Sequence, residues 1–340
     1  MNLKKIYIIA LLLAGLHSTT KAAFLQEEKD IAPNDRHINY IGRWDFTNPA
    51  EYASYWGGAY LSVGFTGRHV KLKVGNKTHY FARIDNGPWV SYLNASGIID
   101  LTAAPLSGGK HLLSIAQGKD YNYEFKFDGL VLDRKGRTFT ADKQPQLIEW
   151  IGDSITTGYT DEQANVSDYA WICSDSLNCE HTQIAFPGIN LVSGYPKSGM
   201  DQQYFKERSL AYPDAAPWDF TRYTPAVIVI NLGTNDTNHK IADSLFQHVY
   251  TVFLGKLREK FPKAEIFAMK TFAKTKGTAT EAAVKDRNAA GDNAVHFIDT
   301  TGWLTEVSDF TDHTHPSVSG HRKAASHLRT ILAPYLLNSH

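Results

Sequence analysis

The chain has 340 residues, with 35 Lys+Arg against 35 Asp+Glu, so its formal net charge is zero. That length predicts two domains, each large enough to bury its own core. With 43% hydrophobic and 21% charged residues the composition is globular, which excludes a disordered chain or a fibre. The balanced charge leaves no electrostatic footprint for nucleic acid.

Residues 1–22 read as a secretory leader. Lys4 and Lys5 form a positive start, and 6–16 is an apolar run too short to span a bilayer. A polar stretch ends in the small residues Ala22 and Ala23, where cleavage is expected. No cysteine stands there to take a lipid. Removing the leader takes away Lys4, Lys5 and Lys21 and no acid, which gives the mature chain a net charge of −3. A secreted or periplasmic protein is expected, with no membrane attachment after cleavage.

Residues 24–140 carry short alternating segments at 60–65, 69–74, 79–84, 110–116 and 123–132. Turn signals at 74–77 and 85–88 separate them. Many short strands without a long helix predict an all-β sandwich of jelly-roll type. A polar bridge at 134–143 marks the boundary.

Residues 146–340 alternate differently. Apolar runs at 147–151, 182–186, 226–232, 265–272 and 294–298 predict strands, and 226–232 reads as buried on both faces. Between them, 241–261 repeats Leu245, Val249, Val252, Phe253 and Leu257 at helical steps, and 319–337 carries a similar stripe. Strand–helix alternation predicts a parallel sheet flanked by helices, an α/β domain whose site lies beyond the carboxyl ends of the strands. The two cysteines, Cys173 and Cys179, fit either a disulfide or two free thiols, and their spacing makes no zinc site.

Three short segments carry the chemistry. Gly152-Asp153-Ser154 follows the 147–151 strand and places a serine hydroxyl at a strand end, flanked by glycines that permit a sharp turn. Gly233-Thr234-Asn235-Asp236 follows the strongest strand, where a side-chain amide can donate into the same cleft. Asp236 is assigned to a turn or helix cap. Asp312-His313-Thr314-His315-Pro316 precedes the last helix, and an Asp three before a His can fix its tautomer. His313 and His315 could also be read as a metal pair, but no second cluster completes a coordination shell, so no metal and no organic cofactor is expected. Each segment alone reads as an ordinary turn. Together they fall on one side of one sheet.

In that order the segments resemble the SGNH (GDSL-type) hydrolases over roughly 147–337. The resemblance implies Ser154 as nucleophile, Asn235 as oxyanion donor, and Asp312 and His315 as the supporting pair. It also asks for a glycine between the first and third segments. Gly188, in Phe186-Pro187-Gly188-Ile189-Asn190, fits best, with Gly194 as the fallback. A β-sandwich ahead of the hydrolase is similar to carbohydrate esterase family 2, whose members remove acetyl groups from xylan and glucomannan. So is the stretch 218–225 that leads into Val227–Asp236. Some members of that family support the histidine by backbone carbonyl, whereas Asp312 here completes a triad.

The resemblance implies an exported acetylesterase, acetylxylan esterase-like, acting on acetylated polysaccharide or oligosaccharide. His315 would activate Ser154, and an acetyl-enzyme would form against an oxyanion hole of Ser154, Gly188 and Asn235. Tyr159 and Trp303 are candidate sugar platforms, because they lie near the motifs. The rival functions are deacylation of a lipid, a thioester or an envelope glycan, and a glycan-binding protein without catalysis.

Overall fold

A computed structural model describes residues 28–119 and 123–336. The leader expected at 1–22 lies outside the described residues. The first sheet contains ten strands, β1 (Glu28–Ile31) to β10 (Thr138–Phe139), and all its pairings are antiparallel. Alternating inward residues such as Leu61, Val63 and Phe65 close it on a core with Trp44, Leu72 and Phe127.

Two features of this sheet differ from the sequence expectation. The segments 69–74 and 79–84 form one strand, β6 (Val70–Ile84), and the expected turn at 74–77 is an irregularity inside it. The register shifts between Val74 and Tyr80 because β6 changes partners. Its first half pairs with β9 (Phe125–Asp133) and its second half with β8 (Lys110–Gln117). A bulge supplies the bend. The strand β7 (Val90–Asp100) was not expected. It covers β6 from the outside with Leu93 68% and Ile98 63% exposed, so it shows no apolar alternation to detect.

The second sheet is wholly parallel. It contains β11 (Leu147–Gly152), β12 (Glu180–Ala185), β13 (Val227–Asn231), β14 (Glu265–Met269) and β15 (Val295–Ile298), in the order β12-β11-β13-β14-β15. Its helices are α1 (Tyr169–Ser176), α2 (Met200–Gln203), α3 (Thr234–Asn238), α4 (Asp243–Lys260), α5 (Gly277–Ala289) and α6 (Val318–Leu336). The fully buried β13 shows why both faces are covered. Ile228 and Ile230 enter a core shared with α4 and α5, and Val227 and Val229 enter another shared with α1 and α6. Helix α4 is rotated from its expected face: Phe246, Tyr250, Phe253, Leu254 and Leu257 are buried, while Leu245 and Val252 stay exposed. Among the described residues no helix is long and apolar enough to cross a membrane. Cys173 and Cys179 are buried free thiols. From β11 the chain steps outward to β12 and then back across to β13. That reversal places a crevice at the carboxyl ends of β11 and β13.

The two sheets are joined by buried polar and aromatic groups. Arg43, just after β2 (Asn39–Ile41), is 1% exposed. Its guanidinium donates to the carbonyls of Tyr204 and Lys206, and lies over the rings of Tyr204, Trp218 and Phe220. The fully buried carboxylate of Glu149 accepts from the hydroxyls of Tyr204 and Tyr223 and feels the positive charge of Arg43. Arg43→Ala would leave that carboxylate without its countercharge, so a loss of about 3–5 kcal/mol is expected in urea unfolding. A loss below about 1 kcal/mol would show that the aromatic packing alone holds the joint.

Candidate active site

Ser154 stands two residues past β11. Gly152 makes that turn possible, since a Cβ there would lie 2.0 Å from the Thr156 hydroxyl. The turn is then held locally. The Asp153 carboxylate accepts the Ile155 N–H at 2.9 Å, and the Ser154 carbonyl accepts the Thr157 hydroxyl at 3.0 Å and the Tyr159 N–H at 3.1 Å. Ser154 is 8% exposed, so its hydroxyl meets the cleft and little else.

The base arrives from the loop before α6. Ser317 accepts the Gly320 N–H at 3.3 Å and starts that helix, with Pro316 just ahead of it. The Asp312 carboxylate accepts the backbone N–H groups of Thr314 and His315, each at 2.7 Å, and so coils the loop tightly. Its other oxygen is 2.8 Å from Nδ1 of His315, and Nε2 of His315 is 2.8 Å from the Ser154 hydroxyl. Hydroxyl, imidazole and carboxylate therefore form one line. Burial pushes the Asp312 carboxyl up, but the bonds from the His315 backbone, its ring and the Thr314 N–H outweigh it, and the pKa falls to about 2. His313 is exposed beside this loop and does not line the cleft.

The opposite wall carries hydrogen-bond donors. Gly188 adopts φ +80°, and a Cβ there would meet open space. The backbone N–H groups of Ser154 and Gly188 have no acceptor among the described residues. Asn235 lies in the first turn of α3, and its amide donates to the Ile189 carbonyl at 3.0 Å and towards the Asp153 carboxylate at 3.3 Å. Asp236 is not a cap. It is fully buried and accepts the N–H groups of Leu191 (2.9 Å) and Val192 (3.1 Å), which anchors the loop that bears Gly188. Gly194 spends its N–H on the Lys197 carbonyl and lies outside the cleft lining.

These parts border one cleft of about 700 Å³, lined by Ser154, Tyr159, Phe186, Pro187, Gly188, Asn235 and His315, and by Lys119 and Tyr123 from the first sheet. Tyr159 is 38% exposed and its ring centre is 5.6 Å from that of His315. Trp303 is elsewhere. It stacks on His327 at 4.7 Å and packs towards Phe272, because the loop before the short 3-10 turn Val307–Asp309 folds it onto α6. Proximity in sequence to the histidine motif therefore misleads for Trp303. Lys119 and Tyr123 carried no sequence signal, since they lie outside every motif. Asp153 stands in its motif only as the neighbour of the serine, yet burial first of all pushes its carboxyl up to about 7, against the pull of the Ile155 N–H and of His315. Among the described residues no cluster of three or more His, Cys, Asp or Glu could hold a metal ion.

Residues 150–323 match the GDSL-like Lipase/Acylhydrolase family, and residues 40–141 match the carbohydrate esterase 2 N-terminal domain. The chain is 29% identical over 321 residues to the cellulase/esterase CelE of Acetivibrio thermocellus, covering 86% of this chain and 38% of that protein. It is 26% identical over 215 residues to an acetylxylan esterase / glucomannan deacetylase of Cellvibrio japonicus, covering 58% of this chain and 59% of that one. The chain thus spans less than two thirds of the length of either relative. A solved family two carbohydrate esterase from Clostridium thermocellum, in complex with cellohexaose, superposes with a TM-score of 0.78 at 26% identity. That match covers 88% of this chain and 99% of the solved one.

Proposed function

We propose that this chain, which belongs to the GDSL-like lipase/acylhydrolase family, is an exported serine esterase that removes O-acetyl groups from a polysaccharide of the xylan or glucomannan type. The observation that carries the proposal is the line from Ser154 through His315 to Asp312, with 2.8 Å at each step, opening on one cleft. Further support comes from the N-terminal domain match and from the names of the relatives. Export rests on the composition of the leader.

A serine hydroxyl needs a base before it attacks. His315 takes the Ser154 proton as the oxygen bonds to the acetyl carbonyl carbon, and Asp312 stabilises the imidazolium. The carbonyl π pair moves to oxygen. The N–H groups of Ser154 and Gly188 receive that charge, and Asn235 joins them by sharing the amide hydrogen now directed at Asp153. One such donor is worth about 10²–10³ in rate. The tetrahedral centre collapses, the sugar oxygen leaves with the proton from His315, and the acetyl group stays on Ser154. Water, deprotonated by His315, then releases acetate and restores the serine. No metal or organic cofactor enters this sequence. The leaving sugar must sit beside His315, and there the exposed ring of Tyr159 offers it an apolar face.

The test is acetate release from acetylated xylan, glucomannan and pectin, with 4-nitrophenyl acetate, butyrate and octanoate alongside. Acetate is expected from xylan or glucomannan, together with a preference for acetyl over octanoyl. Octanoate hydrolysis without acetate from any polysaccharide would overturn the proposal in favour of a lipid esterase.

A further inference from the structure

The cleft is walled on one side by the first sheet, and that wall reaches both halves of the catalytic line. Tyr123 meets Phe186 edge-on at 5.6 Å, next to Gly188. Lys119 works on the other rim. Its backbone N–H lies 3.0 Å from Nδ1 of the buried His79, whose Nε2 is 3.0 Å from the Ser91 hydroxyl, so its stem starts from a fixed point in β6. Its ammonium then crosses to the second domain and donates to the carbonyls of Asp161 at 2.9 Å and Tyr159 at 3.2 Å.

Those carbonyls belong to the coil that begins at the serine, and the Asp161 carbonyl also accepts the Ala164 N–H at 3.2 Å. The Tyr159 N–H is bonded to the Ser154 carbonyl, and the Asp161 N–H to the Gly158 carbonyl. Thr160, between them, accepts from the Thr311 hydroxyl at 2.6 Å, one residue before Asp312. The turn that carries Tyr159 is thus gripped by the base loop on one side and by Lys119 on the other. A lysine ammonium suits this place, because it can spread several N–H bonds over neighbouring carbonyls.

We infer that Lys119 is a positioning residue for the sugar side of the site: it holds Tyr159 against His315, so that the antiparallel domain governs how the leaving sugar is bound. The inference rests on the esterase reading above. It separates two substrates. Ethyl acetate has no sugar to place, whereas an acetylated xylo-oligosaccharide does.

The experiment measures acetate release from both substrates by wild type, Lys119→Met, Lys119→Arg, Tyr159→Ala and the Lys119→Met/Tyr159→Ala pair. For Lys119→Met the oligosaccharide KM is expected to rise about tenfold with kcat falling less than about threefold, and the loss of kcat/KM on ethyl acetate to be several-fold smaller. Lys119→Arg should recover most of the oligosaccharide kcat/KM, since a guanidinium also donates to several acceptors. In the Tyr159→Ala background Lys119→Met should add less than about twofold, because the lysine acts through the tyrosine. Full additivity of the two substitutions would overturn the inference, and so would equal losses on both substrates, as mere structural damage would give. A wild type inert on both substrates would remove the esterase reading and the inference together. An active wild type with an unmoved Lys119→Met removes the inference alone.

Discussion

Ser154→Ala is expected to lose more than about 99% of acetate release while melting at a temperature close to wild type. The size of the effect follows from geometry. The hydroxyl is 2.8 Å from the base in line with it, and the triad members act as one unit. The fold should not suffer, because the side chain is 8% exposed at the cleft and its one described hydrogen bond is to His315. Replacing a hydroxymethyl by a methyl there leaves no buried group without a partner that water cannot reach. The Gly152 turn, held by Asp153, stays as it is. Acetate assays on xylan and on a nitrophenyl ester, with a circular dichroism melt, check both halves of the expectation. Ester hydrolysis at the wild-type rate would refute Ser154 as nucleophile.

The parallel sheet was legible because β13 and its neighbours β11 and β14 are buried on both faces, so each reads as a short, mostly apolar run. The antiparallel sheet was legible only where one face is exposed. It failed at β7, which is exposed along most of its length and shows no apolar alternation, and at Gly75-Asn76, where a bulge looks like a turn. At the candidate site, Ser154, Asn235, Asp312 and His315 could be singled out because each sits at the end of a strand or the start of a helix, with residue types that serve such ends. Gly188 needed the resemblance to choose it over Gly194, and the structure separates them by what each N–H meets.

The residues that sequence could not supply are those whose role depends on long-range contact. Asp236 looks like a cap, yet its carboxylate reaches across 44 and 45 positions to Val192 and Leu191. Lys119 reaches 40 and 42 positions to Tyr159 and Asp161. Trp303 fails the opposite way. Its neighbourhood in sequence is the base loop, and its neighbourhood in space is His327 on α6. Pattern reports period and caps, and neither reveals which distant carbonyl a side chain will meet.

Asp312→Asn is expected to lower kcat by about 10²–10⁴ with KM little changed, within about tenfold of the loss in His315→Ala. The argument turns on which oxygen the amide must keep. One oxygen of Asp312 accepts the N–H groups of Thr314 and His315, and only an oxygen can do so. The asparagine therefore keeps its carbonyl there and turns its NH₂ to Nδ1 of His315. Nδ1 then becomes an acceptor, the ring proton moves to Nε2, and Nε2 can no longer take the proton of Ser154. Loop and ring stay in place while the tautomer is wrong. Among the described hydrogen bonds no backbone carbonyl reaches Nδ1, so nothing replaces the carboxylate. The acid limb has a definite sign. A carboxyl whose folded pKa is lowered to about 2 contributes stability that is present above its ordinary value near 3.8 and is lost as the pH falls through about 2. The Asp312 carboxylate is thus ionised throughout the neutral and mildly acidic range, and the Asp312→Asn loss is expected at neutral pH. Steady-state kinetics at that pH measure it. A kcat within about fivefold of wild type would show that a backbone carbonyl carries the imidazolium instead.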